Sequence, residues 1–230
     1  MSAPGSLRWW EAGEAFFATA RDRLTEAELD RPSLLPGWPR RTVIAHVARN
    51  ADALVNLLSW ACTGEETPMY ASPEARATAI TDTAALPAHE LFADCRAASQ
   101  RLAATIGRLP ETAWTAMVRT AQGRMVTAGE VPWMRCREVW VHAVDLDAGT
   151  GFADLPDDLL AALIDDVIES WYRRGAAPEL ALAAGEHRWG SGPMTVTGGL
   201  ADLAAWVTGR STGADRLQLD GSPPVLPAWL

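Results

Sequence analysis

Net positive charge, paired cysteines and long uninterrupted apolar runs are all missing from this sequence, and each absence removes a class of function. The formal net charge is −9, so neither nucleic acid nor an anionic membrane surface is an expected partner. Only three cysteines are present, Cys62, Cys95 and Cys136. They are far apart and form no CxxC pair, which argues against a thiolate metal site or a disulfide framework. They read as small, mostly buried core residues. Charged residues interrupt every apolar run before it reaches membrane-spanning length, and the N-terminal "MSAPGSLRWWEAGEAFF" lacks a signal-peptide core. A soluble, cytoplasmic protein is expected. Internal repeats and low-complexity segments are also absent. The sequence sets no oligomeric state, and a monomer is compatible with it.

What is present is 230 residues with 48% hydrophobic content, enough for one large or two small cores. Helical periodicity dominates the first two-thirds. "SLRWWEAGEAFFATARDRLTEAEL" predicts a first helix, and "RPSLLPGWPRR" breaks it with prolines and a glycine. Thr42 is the expected cap of a second helix that stops at Gly64. A short helix starts near Ser72–Pro73. "PAHELFADCRAASQRLAATIGRL" predicts a third long helix, and a hairpin is expected around Gln122–Gly123. A fourth long helix runs from about Val131 to Asp147. After Gly151 the pattern changes to α+β: a helix ending at Gly175, strands at "ELALAAG", "MTVTGG" and "DRLQLDG", a helix stopping at Gly209–Arg210, and an extended tail, "SPPVLPAWL". The expected fold class is α+β, with a four-helix bundle over residues 1–150 and a small α+β domain over 151–230. A cleft between domains is a common place for a ligand.

Three polar residues sit on apolar helix faces. In "REVWVHAVDL", Glu138 and His142 are four apart, about 40° around the helix, so both can reach one ion. Their neighbours include Trp133, Val139, Trp140, Val141, Ala143 and Val144, which makes a solvated pair unexpected. His46 lies among Ile44, Val47, Ala51 and Leu54, with Asn50 one turn on. If the two helices face each other, His46, Glu138 and His142 could hold zinc and leave a fourth position open. Spacing alone leaves another reading: a hydrogen-bonded core histidine, and a simple i,i+4 pair. His89 reads as solvated beside Glu90, and His187 as a loop residue in "AAGEHRWGSG".

Several segments resemble one family. They are "LLPGWPRRTVIAHVARNADALVNLLSWACTGEETPMY", "SPEAR", "TAQGR", "WMRCREVWVHAVDL" and the terminal "PAWL". They are similar to the mycothiol-dependent maleylpyruvate isomerases of the DinB-like metal-binding superfamily. The similarity spans nearly the whole chain. It is strong through Leu35–Ala79 and Ala121–Leu146 and weaker in the C-terminal third. "GW…AHVA.NA" marks only the superfamily, whereas "TGEETPMY.SPEAR" with "REVW.HAVDL" is more specific.

The resemblance implies a DinB-like bundle, a zinc ion on His46, Glu138 and His142, and mycothiol as a thiol cofactor. It implies cis–trans isomerisation of maleylpyruvate, a dicarboxylate, to fumarylpyruvate in gentisate-type aromatic degradation. It also points to Arg76 in "SPEAR" and Arg210 in "VTGR" as residues of the activity, although the flanks of Arg210 depart from the family. Unaided, Arg76 is one surface arginine among many, and Arg210 is a cation at a helix C-terminus. The C-terminal domain is implied to be sterol-carrier-like and to complete the active-site cleft. Rival readings are a mycothiol S-transferase using the same triad, a non-catalytic zinc-binding regulator, and a zinc hydrolase using metal-bound water.

Overall fold

The structure, a computed structural model, describes residues 3–212, 216–219 and 224–229. The chain divides into two compact units, Met1–Gly149 and Thr150–Leu230. Among the described residues no helix is long and apolar enough to cross a membrane.

The first unit is built on four long helices. Helix α1 covers Ala3–Asp22 and α2 covers Arg40–Thr63; a shorter α3, Pro73–Ala84, precedes α4, Ala88–Gly107, and α5, Val131–Asp145. Helix α1 packs on α5, and α2 on α4, around Phe17, Leu54, Leu57, Leu102 and Val139. The first helix ends seven residues before the expected Leu29. There the Thr25 N–H and hydroxyl both donate to the Glu28 carboxylate and start a separate 3-10 turn, Glu26–Glu28. Helix α2 begins at Arg40 with Pro39 as its N-cap, so Thr42 lies inside the helix and is not the cap. A tertiary contact fixes that start: Arg40 Nη2 donates to the Asp147 carbonyl and carboxylate at 2.8 and 3.1 Å. Helix α2 ends as expected at Gly64, in the left-handed region at φ 76°. Ser72 caps α3 by accepting from the Ala75 N–H at 3.1 Å. Strands β1, Met117–Arg119, and β2, Met125–Thr127, form the expected antiparallel hairpin with Val118 opposite Val126.

Helices α1 and α5 approach closely at Gly13. A Cβ there would stand 2.6 Å from both Trp140 Nε1 and Val139 Cγ2. The approach lets Trp140 Nε1 donate to the Trp9 carbonyl at 2.8 Å. Gly13→Val is therefore expected to lower stability by about 1–3 kcal/mol through overpacking, read as a lower urea midpoint.

The second unit comprises α6, Asp157–Arg173, then β3, Leu180–Ala184, β4, His187–Gly190, β5, Met194–Thr197, α7, Leu200–Val207, and β6, Gln218–Leu219. The sheet order is β4-β3-β5-β6, with β3 and β5 parallel and the outer pairings antiparallel. His187 thus lies in a strand and not in a loop. It pairs opposite Ala184 across a turn in which Gly185 has a φ of 55°. Of the expected strand "DRLQLDG", Gln218–Leu219 pair with β5, while Asp215, Asp220 and Gly221 lie outside the described residues, as do Ser222, Pro223 and Leu230 of the tail. The described tail is irregular and tied to α6. Trp229 Nε1 donates to Asp166 at 2.9 Å, and Trp171 Nε1 donates to the Pro227 carbonyl at 3.0 Å.

Candidate metal centre

The helical period turns Glu138 and His142 of α5 to one side, and packing of α5 against α2 brings His46 to meet them. His46 Nε2 lies 2.9 Å from Glu138 Oε2, and His142 Nε2 lies 3.2 Å from the same oxygen. The imidazole centroids are 4.9 Å apart and nearly perpendicular. One ligand atom from each residue lies within 4.8 Å of the others. A tetrahedral zinc with bonds of about 2.0–2.1 Å has ligand-to-ligand edges of about 3.3 Å, so both spacings to Glu138 suit one ion. Two imidazoles and one carboxylate are also a donor set suited to zinc with a position left open. The group could hold a metal ion.

The surroundings set the charges. Burial alone would raise the Glu138 carboxyl, but His46 and His142 outweigh it and hold it well below the usual range. Burial pushes His46 down against the pull of Glu138. Burial also opposes charge on His142, yet the bonds to Asp145 and Glu138 prevail and raise it to about 9. Trp38, from the "GW" segment, sets its ring edge-on to His46 at 5.5 Å.

Arg76 joins the group. Its Nη2 lies 3.2 Å from His46 Nδ1, and its Cζ lies 5.5 Å from the centroid of the Tyr70 ring. Four of the five residues picked out in the sequence are thus brought together. The fifth, Arg210, belongs to the second unit, just after α7, where its Nη1 donates to the Thr208 carbonyl at 2.6 Å. His89 is 83% exposed on its side chain and 3.9 Å from Glu90, a solvated residue as expected. Cys95 and Cys136 are buried, and burial pushes both thiols up. Cys62 is exposed near the end of α2, contrary to its expected burial.

Two residues of this site escaped sequence reasoning. Asp145 accepts from His142 Nδ1 at 2.8 Å and is fully buried. Its place three residues after a histidine on an apolar helix was the available signal. Tyr70 stands in the "TPMY" segment, but nothing local ties it to Arg76.

The sequence profile of the mycothiol maleylpyruvate isomerase N-terminal domain matches residues 10–147. The chain belongs to this family. The likeness to solved structures extends beyond the matched residues. The crystal structure of a mycothiol-dependent maleylpyruvate isomerase is 38% identical with a TM-score of 0.93, over 100% of this chain and 98% of that one. That of a histidine-to-alanine mutant of such an enzyme is 37% identical with a TM-score of 0.92, again over 100% and 98%. Comparison with functionally curated proteins finds no match. The α+β fold expected from sequence, a helical bundle followed by a small sheet unit, is the fold of these family structures.

Proposed function

We propose that this protein is a mycothiol-dependent isomerase that converts maleylpyruvate to fumarylpyruvate, with a divalent ion, zinc by its donor set, on His46, Glu138 and His142. The observation that carries the reading is the convergence of those three side chains from two apolar helices, in a chain similar over its whole length to mycothiol-dependent maleylpyruvate isomerases. Bound there, the ion would hold a coordinated thiol as its thiolate, and the thiol would lend the reversible addition that removes the barrier to rotation about the cis double bond. The chain supplies the rest. Its buried cysteines are no competing nucleophiles, because burial keeps the Cys95 and Cys136 thiols protonated. Arg76, beside His46, offers a forked donor to a substrate carboxylate. We also assign Arg210 a carboxylate or developing oxyanion of the substrate, a role supported by its place in the family pattern. An acidic protein needs such local cations to hold a dianion, so the net charge of −9 is no objection.

The test is turnover of maleylpyruvate with and without mycothiol, alongside metal analysis. Isomerisation that requires both thiol and metal is expected. Accumulation of a thiol conjugate would instead mark a transferase, and turnover without thiol a hydrolase or other metal-water chemistry. Arg76→Ala and Arg210→Ala should each keep the fold and reduce turnover about ten- to a hundredfold or more, the effect of one lost charge-assisted contact. Lysine should restore little, since a point charge does not replace a fork. An Arg210→Ala protein of undiminished turnover would refute the role given to that residue.

A further inference from the structure

The two histidines of the candidate centre have opposite partners on the nitrogen turned away from Glu138. His142 Nδ1 lies 2.8 Å from Asp145 Oδ2, and Asp145 is completely buried. An ionised carboxylate only accepts, so His142 Nδ1 carries a proton. Asp145 thus keeps a proton on Nδ1, so that Nε2, which donates to Glu138 in the metal-free protein, is the nitrogen turned toward an ion, and a carboxylate behind a metal-binding histidine fixes ring orientation as well. His46 is set the other way. Its Nδ1 lies 3.2 Å from Arg76 Nη2. Arginine has donors and no acceptor, so His46 Nδ1 must accept. The single proton of the neutral ring then sits on Nε2, directed at Glu138 Oε2 2.9 Å away. That is the nitrogen an ion would take.

A metal on His46 Nε2 requires the ring proton on Nδ1. There it would meet the Arg76 N–H, donor against donor. Ring charge does not change, because the proton only moves between two nitrogens of a neutral imidazole. The contact of Arg76 with His46 and a metal on His46 are therefore mutually exclusive.

We propose that metal loading and release of Arg76 from His46 are one coupled event, with Asp145 as the positioning residue that holds the Nδ1 proton of His142 and turns its Nε2 toward the ion. The inference rests on reading His46, Glu138 and His142 as metal ligands, and it adds a consequence for the substrate side. The Nη2 donor that His46 occupies becomes available to a carboxylate only when the ion is in place. The coupling is reciprocal, so an anion that engages Arg76 strengthens metal binding by the same factor.

The experiment combines zinc affinity, by chelator competition, with nitrogen-15 NMR of the histidine rings on the full-length chain. Metal-free wild-type protein should show His46 protonated on Nε2, and zinc-loaded protein should show it protonated on Nδ1. His142 should carry its Nδ1 proton in both forms. Arg76→Met should bind zinc about tenfold more tightly, the size of one competing hydrogen bond removed. Asp145→Asn should bind it about 10–100-fold more weakly. Removing a positive charge also favours tighter zinc binding, so the ring tautomer decides. His46 protonated on Nδ1 before metal is added would overturn the coupling, as would unchanged or weaker zinc affinity in Arg76→Met. His142 lacking its Nδ1 proton would overturn the part given to Asp145, and that measurement needs no variant to fold. A folded wild-type protein that takes up no zinc would overturn the metal reading itself, an outcome distinct from the others.

Discussion

A His46→Ala protein is expected to bind zinc roughly a hundredfold or more weakly than wild type and to lose mycothiol-dependent turnover with it. The binding free energy of a structural zinc site is about 10–16 kcal/mol shared over four ligands, so one ligand accounts for roughly 3 kcal/mol, which is about a hundredfold in affinity. His46 contributes a nitrogen from α2, whereas Glu138 and His142 both come from α5. Its loss leaves two ligands on one helix and nothing to close the site from the other. The fold should survive, because alanine suits a helix and the removed ring is replaced by a small cavity. Circular dichroism should be unchanged while chelator competition reports the lost affinity. Retained zinc affinity in His46→Ala would show that the ion uses other donors.

The largest stability effect is expected at Glu14. Arg135 of α5 is 0% exposed. Its Nε and Nη2 donate to the two Glu14 oxygens at 2.7 and 3.3 Å. Nη1 donates to the Val47 carbonyl at 2.6 Å and to Asn50 Oδ1 at 3.1 Å, and Nη2 to Ser99 Oγ at 3.1 Å. One guanidinium thus links α1, α2, α4 and α5 in the core of the bundle. Burial alone would raise Glu14, but Arg135 overrides it and leaves the carboxyl below its usual value. Glu14→Ala strands the arginine charge without its counterion and should cost about 3–5 kcal/mol. That is a large share of the 5–15 kcal/mol that keeps a typical domain folded. Urea unfolding measures it directly, and a loss below about 1 kcal/mol would contradict the assigned role. Replacing both residues by leucine should recover much of the loss, since a buried pair is expensive chiefly when half of it is missing. The pair also predicts the acid response. A depressed folded pKa contributes stability above the ordinary glutamate value of about 4.3, and that stability is lost as pH falls through the folded value.

Legibility in the sequence followed whether the deciding interaction was local. The end of α2 at Gly64, the Ser72 cap and the hairpin around Gln122–Gly123 depend on residues within a turn of one another, and each forms where expected. The start of α2 did not follow this rule. Pro39 makes no side-chain cap bond, and Arg40 is anchored by Asp147, 107 residues away. His187 was obscure for a related reason. Strand β4 buries only Trp189, so its alternation is too weak to read until β3 pairs with it.

The candidate centre divides along the same line. Sequence alone determined that Glu138 and His142 share a helix face, because 3.6 residues per turn leave them little choice. It also determined that the chain carries no net positive charge and no cysteine cluster to bind metal through sulfur. The tertiary structure alone decided that His46 meets that pair across 92 positions of chain, that Arg76 reaches His46, and that Arg135 spans four helices. Periodicity fixes where a side chain points from its own helix. It does not fix which helix stands opposite, since that is set by packing of whole faces, down to a single hydrogen atom at Gly13 where α1 meets α5.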